Sequence, residues 1–193
     1  MPSSADFQII YNMLLWVERY LFEIADIDPR PFPALSEQPY QTAVAIAPNF
    51  FKMIRALLYD AAVLGTAMLW DLPTQSGHKN LSLETVIQGA DWLNPEQKEN
   101  ALEELKIIRR QFPQIKFSRN KVLAHADYDV VTGLKDPATH SNHVNLEQLT
   151  QAVRKTRCLV ARIRPQDVPA VPEPLSQVKW LGVAVVLDRL SRS

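Results

Sequence analysis

Glycine is scarce in this chain, five residues in 193, and the loops that glycine makes possible are missing with it. There is no GxGxxG, no GxxxxGK[ST] and no GxSxG, so a dinucleotide fold, a P-loop or a nucleophile elbow has no local support. The single cysteine, Cys158, rules out an intrachain disulfide. Neither charge is in excess. Lys and Arg total 21 and so do Asp and Glu, so no global positive field marks a nucleic-acid binder and any anion site must be local. The longest apolar run, near Ala61 to Trp70, falls short of the roughly 20 residues a membrane crossing needs and follows Lys52, Arg55 and Asp60. The first residues show no basic n-region, apolar h-region or small-residue cleavage site. These absences set the expectation of a soluble protein of the reducing cytoplasm, with no membrane partner and no cofactor.

What is present is apolar residue at helical spacing, punctuated by proline. Hydrophobic residues make up 47% and charged residues 22%, proportions that support an ordinary globular core at this length. The 14 prolines are clustered, which predicts long helices with hard stops. Phe7, Ile10, Tyr11, Leu14, Leu21 and Ile24 predict a helix over Ser4 to Ala25, ended by Pro29, Pro31 and Pro33. A second pattern runs from about Tyr40 to Trp70, with a break or kink at Pro48. Beyond that proline, Phe51, Ile54, Leu57, Leu58, Ala61, Leu64 and Met68 read as the stripe of a central core helix. Ser82 caps a short helix carrying Leu83, Val86, Ile87 and Ala90. Asn94-Pro95-Glu96-Gln97 joins an N-cap, a proline at the first helical position and a capping-box Gln, opening a helix to Pro113. A helix over Ile115 to Val130 follows, then a loop at Gly133 and Pro137. Asn145 with Gln148 opens another helix that ends at Pro165. No run shows sustained strand alternation. The expected fold is all-α, a bundle of about five to seven helices over residues 1–164. A Pro-rich linker at 165–174 and an appended terminal helix or short strand at 175–193 complete it.

The segment Arg119-Asn120-Lys121-Val122-Leu123-Ala124-His125-Ala126-Asp127-Tyr128 poses a physical problem. On a wheel of 100° per residue, Ile115, Val122, Leu123 and Ala126 share one stripe, and Arg119 falls about 40° from Ile115, inside it. A guanidinium is not buried there unpaired. Either the helix begins at Ser118 and leaves Arg119 in its first turn, or Arg119 faces a cleft or interface where an anion or a carboxylate meets it. His125 comes six residues later, about 120° away on the same wheel. One helix therefore does not stack the two side chains, whereas two copies related by a two-fold bring the pairs together from both chains.

An Arg followed by a polar residue, a few intervening residues and a His, late in an all-α chain, resembles the signature of the HEPN superfamily of RNA-targeting domains. Ala56-Leu57-Leu58-Tyr59-Asp60, Leu69-Trp70-Asp71, the Gly77 to Leu83 segment and the Arg119 to Asp127 block resemble, more narrowly, its abortive-infection branch. The likeness covers about residues 10 to 165. It implies a metal-independent endoribonuclease with a composite site at a homodimer interface, acting on RNA in stress or phage defence. His125 then handles the proton of the attacking 2′-hydroxyl or of the 5′ leaving group. Arg119 holds the scissile phosphate, and Asn120 bonds phosphate or orients the histidine. The resemblance also raises an antitoxin or nucleotidyltransferase partner. Some toxins of this kind carry a modifiable Tyr two residues after the His; here that place is Asp127, and Tyr128 comes one later.

Lys121 and Tyr128 share a helix face with His125, able to meet RNA backbone or stack on a base, or to form a plain solvated face. Asp129, four residues after His125, orients the ring or pairs with Lys121. The Asn145 to Arg164 helix puts Leu149, Ala152, Val153, Thr156, Leu159, Val160 and Ile163 on one face and Arg154, Lys155, Arg157, Arg162 and Arg164 on the rest. That second face tracks phosphates, or it solubilises the helix and suits its C-terminal dipole. His140 and His143 in a polar loop, with His78, His125 and Cys158 elsewhere, make a poor zinc set, so no metal is expected. Two classes of function remain open: a nuclease, or a non-catalytic module that binds RNA or protein with the same dimer and basic helix.

Overall fold

The computed structural model describes residues 2–27, 45, 47–75, 77–119 and 144–169. Among these are six helices: α1 Ser4–Ile27, α2 Pro48–Leu69, α3 Leu83–Gly89, α4 Pro95–Gln111, α5 Pro113–Ser118 and α6 Leu146–Arg162. The only strands among the described residues are β1 Thr74–Gln75 and β2 His78–Lys79, paired antiparallel between α2 and α3. The fold is all-α, as the periodicity predicts, and the small hairpin is an addition. Two residues per strand are too few to show alternation. Gly77 takes a φ of +80° at its turn, a conformation open to glycine without cost.

The helices start where side chains satisfy their free N–H groups. Ser3 and Asp6 bond each other's backbone at the head of α1. Pro48 is the first residue of α2, where its missing N–H costs nothing, so the expected break becomes a clean start. Ser82 caps α3 by accepting from the Thr85 N–H. Both predicted capping boxes close: Asn94 with Gln97 at α4, and Asn145 with Gln148 at α6.

The chain divides into two compact units. The first holds the described residues of Met1–Leu15 and Val63–Val171. Its fully buried side chains include Phe7, Ile10, Leu14, Leu69, Leu83, Ile87, Leu105, Ile115, Leu149 and Leu159. α4 packs against both α3 and α6. The Phe7 ring meets Trp92 edge to face at 6.3 Å, and the Trp92 Nε1 donates to the Ile163 carbonyl at 2.8 Å, just past the end of α6. Gly89 lets Pro2 close on the end of α3, where an added Cβ would collide with the proline ring. The second unit holds the described residues of Trp16–Ala62. There Ile27 and Phe51 are buried against Ala47, Ile54 and Leu58, and the Arg19 guanidinium lies 5.4 Å from the centre of the Trp16 ring.

One expectation changes. On α2, Phe51 of the expected stripe is buried but Leu57, Leu64 and Met68 are exposed, whereas Ala62, Val63, Thr66, Ala67 and Leu69 are buried, as is Trp70 just past the helix end. The helix is apolar nearly all round, so periodicity does not select its buried face. Of the expected Pro-rich linker, residues 165–169 are described. Pro165 and Val168 are buried. The Val168 N–H donates to the Pro165 carbonyl at 3.3 Å, and the Arg164 guanidinium donates to the Val168 carbonyl. Residues 170–193, including the rest of that segment and the expected terminal element, lie outside the described residues.

Candidate functional site

Pro113 cannot continue the hydrogen bonding of α4, and Phe112 breaks from helical geometry to end it. The chain restarts at once as the short helix α5, burying Ile115 and Ser118. Arg119 follows with helical backbone angles, its N–H directed to the Ile115 and Lys116 carbonyls. The helix thus begins well before Ser118, and the second solution to the guanidinium problem holds: a carboxylate meets it. Arg119 Nη1 donates to Asp71 Oδ1.

Asp71 comes from the far end of α2, where the chain turns out of the helix with the Trp70 and Asp71 N–H groups bonded to Ala67 and Met68. Trp70 is pinned by its Nε1, which donates to the buried Thr156 hydroxyl of α6 at 3.0 Å. The Asp71 carbonyl accepts from Arg109 Nη2 of α4 at 3.0 Å, and Arg109 Nη1 donates to Glu84 Oε2 of α3 at 2.5 Å. The outcome is an alternating chain, Glu84–Arg109–Asp71–Arg119, in which two cations balance two anions. The four side chains are 15–23% exposed, so each charge depends on its neighbour more than a surface ion would. Arg119 ends the chain. Among the described residues its Nε and Nη2 have no partner, which leaves donors of a forked, permanently charged group for an oxyanion.

Two local ties frame the site. The Val144 N–H donates to the buried Ser118 Oγ at 3.4 Å, which joins the start of the α6 segment to the residue before Arg119. Asn80 closes the hairpin onto the Asp71 turn, its Nδ2 donating to the Leu72 carbonyl at 3.0 Å and its N–H to the Pro73 carbonyl at 2.9 Å. His78 and Lys79 are exposed on that hairpin.

Of the residues singled out in sequence, Arg119 sits in this cluster. Asn120, Lys121, His125, Tyr128 and Asp129 lie outside the described residues, as do His140 and His143. On α6, Arg154 is exposed and Arg157 half-buried with a partner of its own. Much of the remaining basic face is engaged within the protein. Lys155 Nζ donates to Gln111 Oε1 at 2.7 Å, Arg162 pairs with Glu104 and Arg164 holds the Val168 carbonyl. Among the described residues no three His, Cys, Asp or Glu side chains are grouped to hold a metal, and no helix is long and apolar enough to cross a membrane.

Sequence reasoning missed Asp71, Glu84 and Arg109 as members of a site. The Leu69-Trp70-Asp71 block carries part of the family likeness, but nothing local pairs Asp71 with a residue 48 positions later. The AbiU2 family model of HEPN domains matches residues 10–163. No curated protein and no solved structure matches the chain.

Proposed function

The chain belongs to the AbiU2 family of HEPN domains, the abortive-infection type, and from that footing we propose that it is a metal-independent endoribonuclease acting in stress or phage defence. The observation that carries this reading is Arg119. The arginine of the HEPN motif is fixed by a half-buried carboxylate and keeps donors that have no partner among the described residues, free for a phosphate. His125 moves the proton, taking it from the 2′-hydroxyl as that oxygen attacks phosphorus or giving it to the departing 5′-oxygen. The 2′-O–P bond forms and the P–O5′ bond breaks. Charge gathers on the non-bridging oxygens, where Arg119 and Asn120 stabilise it. Lys121, Tyr128, Arg154 and Arg157 are the proposed contacts to the rest of the RNA, and a second copy of the chain completes the site.

The test is cleavage of mixed RNAs in EDTA, with the chemical ends of the products identified. Products should carry 2′,3′-cyclic phosphate and 5′-hydroxyl ends. His125→Ala should cost roughly 100-fold or more in rate, the scale of general acid–base catalysis. Arg119→Lys should also be impaired, because a point charge does not reproduce the fork. A requirement for divalent metal, 3′-hydroxyl products, or undiminished cleavage by His125→Ala would reject the mechanism. RNA binding without cleavage would leave a binding module in its place.

A further inference from the structure

Asp71 has a defined place in this arrangement, and it follows from what the carboxylate holds and what holds the carboxylate. It takes Arg119 by Nη1 and leaves Nε and Nη2 without a partner among the described residues. Its own main chain is fixed twice, by the Arg109 bond to its carbonyl and by the turn bond from its N–H to the Met68 carbonyl. Arg109 is fixed in turn by Glu84, and its buried Nε has no hydrogen-bond partner among the described residues, so the guanidinium is committed there to these two contacts. We infer that Asp71 is a positioning residue: through the Glu84–Arg109–Asp71 chain it sets the plane of the Arg119 guanidinium so that the Nε and Nη2 donors meet the scissile phosphate.

The physical gain is preorganisation. A free arginine must surrender its rotamer freedom when it binds phosphate, whereas one already clamped has surrendered it on folding. The opposite role, a carboxylate masking Arg119 until RNA displaces it, fits the geometry less well. Drawing Arg119 away would leave Asp71 a half-buried carboxylate without its counter-charge. A phosphate arriving at the other donors completes the guanidinium's bonding and leaves the pair intact.

The proposal rests on the reading of Arg119 as the phosphate-holding group, and a double-mutant cycle separates the two. Wild type, Asp71→Asn, Arg119→Ala and the double variant are compared in cleavage of an RNA and in binding of its non-cleavable 2′-O-methyl analogue, with thermal melting as a control on folding. Asp71→Asn should slow cleavage roughly 10- to 100-fold, the scale of a small misplacement of a catalytic group, mostly in kcat. It should have no further effect once Arg119 is Ala. Cleavage by Asp71→Asn at or above the wild-type rate overturns the positioning role, and faster cleavage shows a mask. A loss that persists in the Arg119→Ala background also overturns it, because Asp71 then acts otherwise than through Arg119. If the wild type binds the analogue but does not cleave, the nuclease reading fails while the coupling in binding still decides for or against Asp71. If the wild type does neither, both readings fall.

Discussion

Thr156 lies on the apolar stripe of α6, fully buried, and its hydroxyl is used twice. It donates to the Ala152 carbonyl at 2.8 Å and accepts from Trp70 Nε1 at 3.0 Å. Thr156→Val keeps the shape but leaves the indole N–H buried without an acceptor, so chemical denaturation should show a loss of about 1–3 kcal/mol, with Thr156→Ser retaining most of the stability. A loss near zero would mean that Trp70 finds another acceptor. Tyr59 offers a pH test. Burial first, and the neighbouring Asp60 second, push its phenol up from 10.0 to about 12, with Arg55 pulling the other way. Between those values the unfolded chain releases this proton and the native chain keeps it. The stability Tyr59 contributes is therefore present below pH 10 and is lost as the pH climbs through 12. An absorbance titration of the native protein should show a phenol ionising near pH 12 that disappears in Tyr59→Phe. If Tyr59→Phe removes a phenol that ionises near pH 10, burial is not what sets this group. At this scale the sequence shows needs more readily than partners. An arginine on an apolar stripe demands a counter-charge, and that demand is legible in Ile115, Arg119 and Val122. Asp71 as the supplier is not, because no local pattern joins the end of one helix to the end of another.

Elements are legible where their signals are local. A capping box spans four residues and carries its own geometry, so the starts of α4 and α6 agree with the sequence to the residue. α2 shows the limit. Its existence follows from composition, but its buried face is set by what packs on it, and Leu57 ends 57% exposed. The end of α6 is another case. Proline stops the helix, yet Pro165 and Val168 turn back and are buried, held by Arg164. Truncation therefore discriminates. A chain ending after Pro169 should melt cooperatively and close to the full-length protein. One ending after Arg164 exposes the apolar surface that Pro165 and Val168 cover, and it should be less stable by about 1–3 kcal/mol, the scale of one buried aliphatic side chain. Equal melting of the two forms would show that the turn is not part of the folded unit. Loss of cooperative melting in both would place residues beyond 169 in the core.

For the whole molecule, the sequence expectation that Arg119 and His125 fall about 120° apart at helical spacing leads us to propose a site completed by a second copy, and the surface beside Asp71 suits a contact. Met68 and Leu72, 42% and 50% exposed, flank the Asp71–Arg119 pair, and large apolar side chains beside a partly buried charge resemble the mixture found in interfaces more than bare surface. Light scattering at micromolar concentration should therefore show a homodimer. Met68→Glu combined with Leu72→Glu should yield a monomer that melts like the wild type and does not cleave RNA. Complementation gives the stricter test. If each site takes Arg119 from one protomer and His125 from its partner, a hybrid of Arg119→Ala with His125→Ala has one site missing both groups and one site with both intact. Mixing two inactive variants should then restore up to about a quarter of the wild-type rate. That follows because random exchange makes half the dimers hybrid, each with one of its two sites complete. If subunits exchange, which a tagged copy can show, and no activity returns, each protomer uses its own Arg119 and His125.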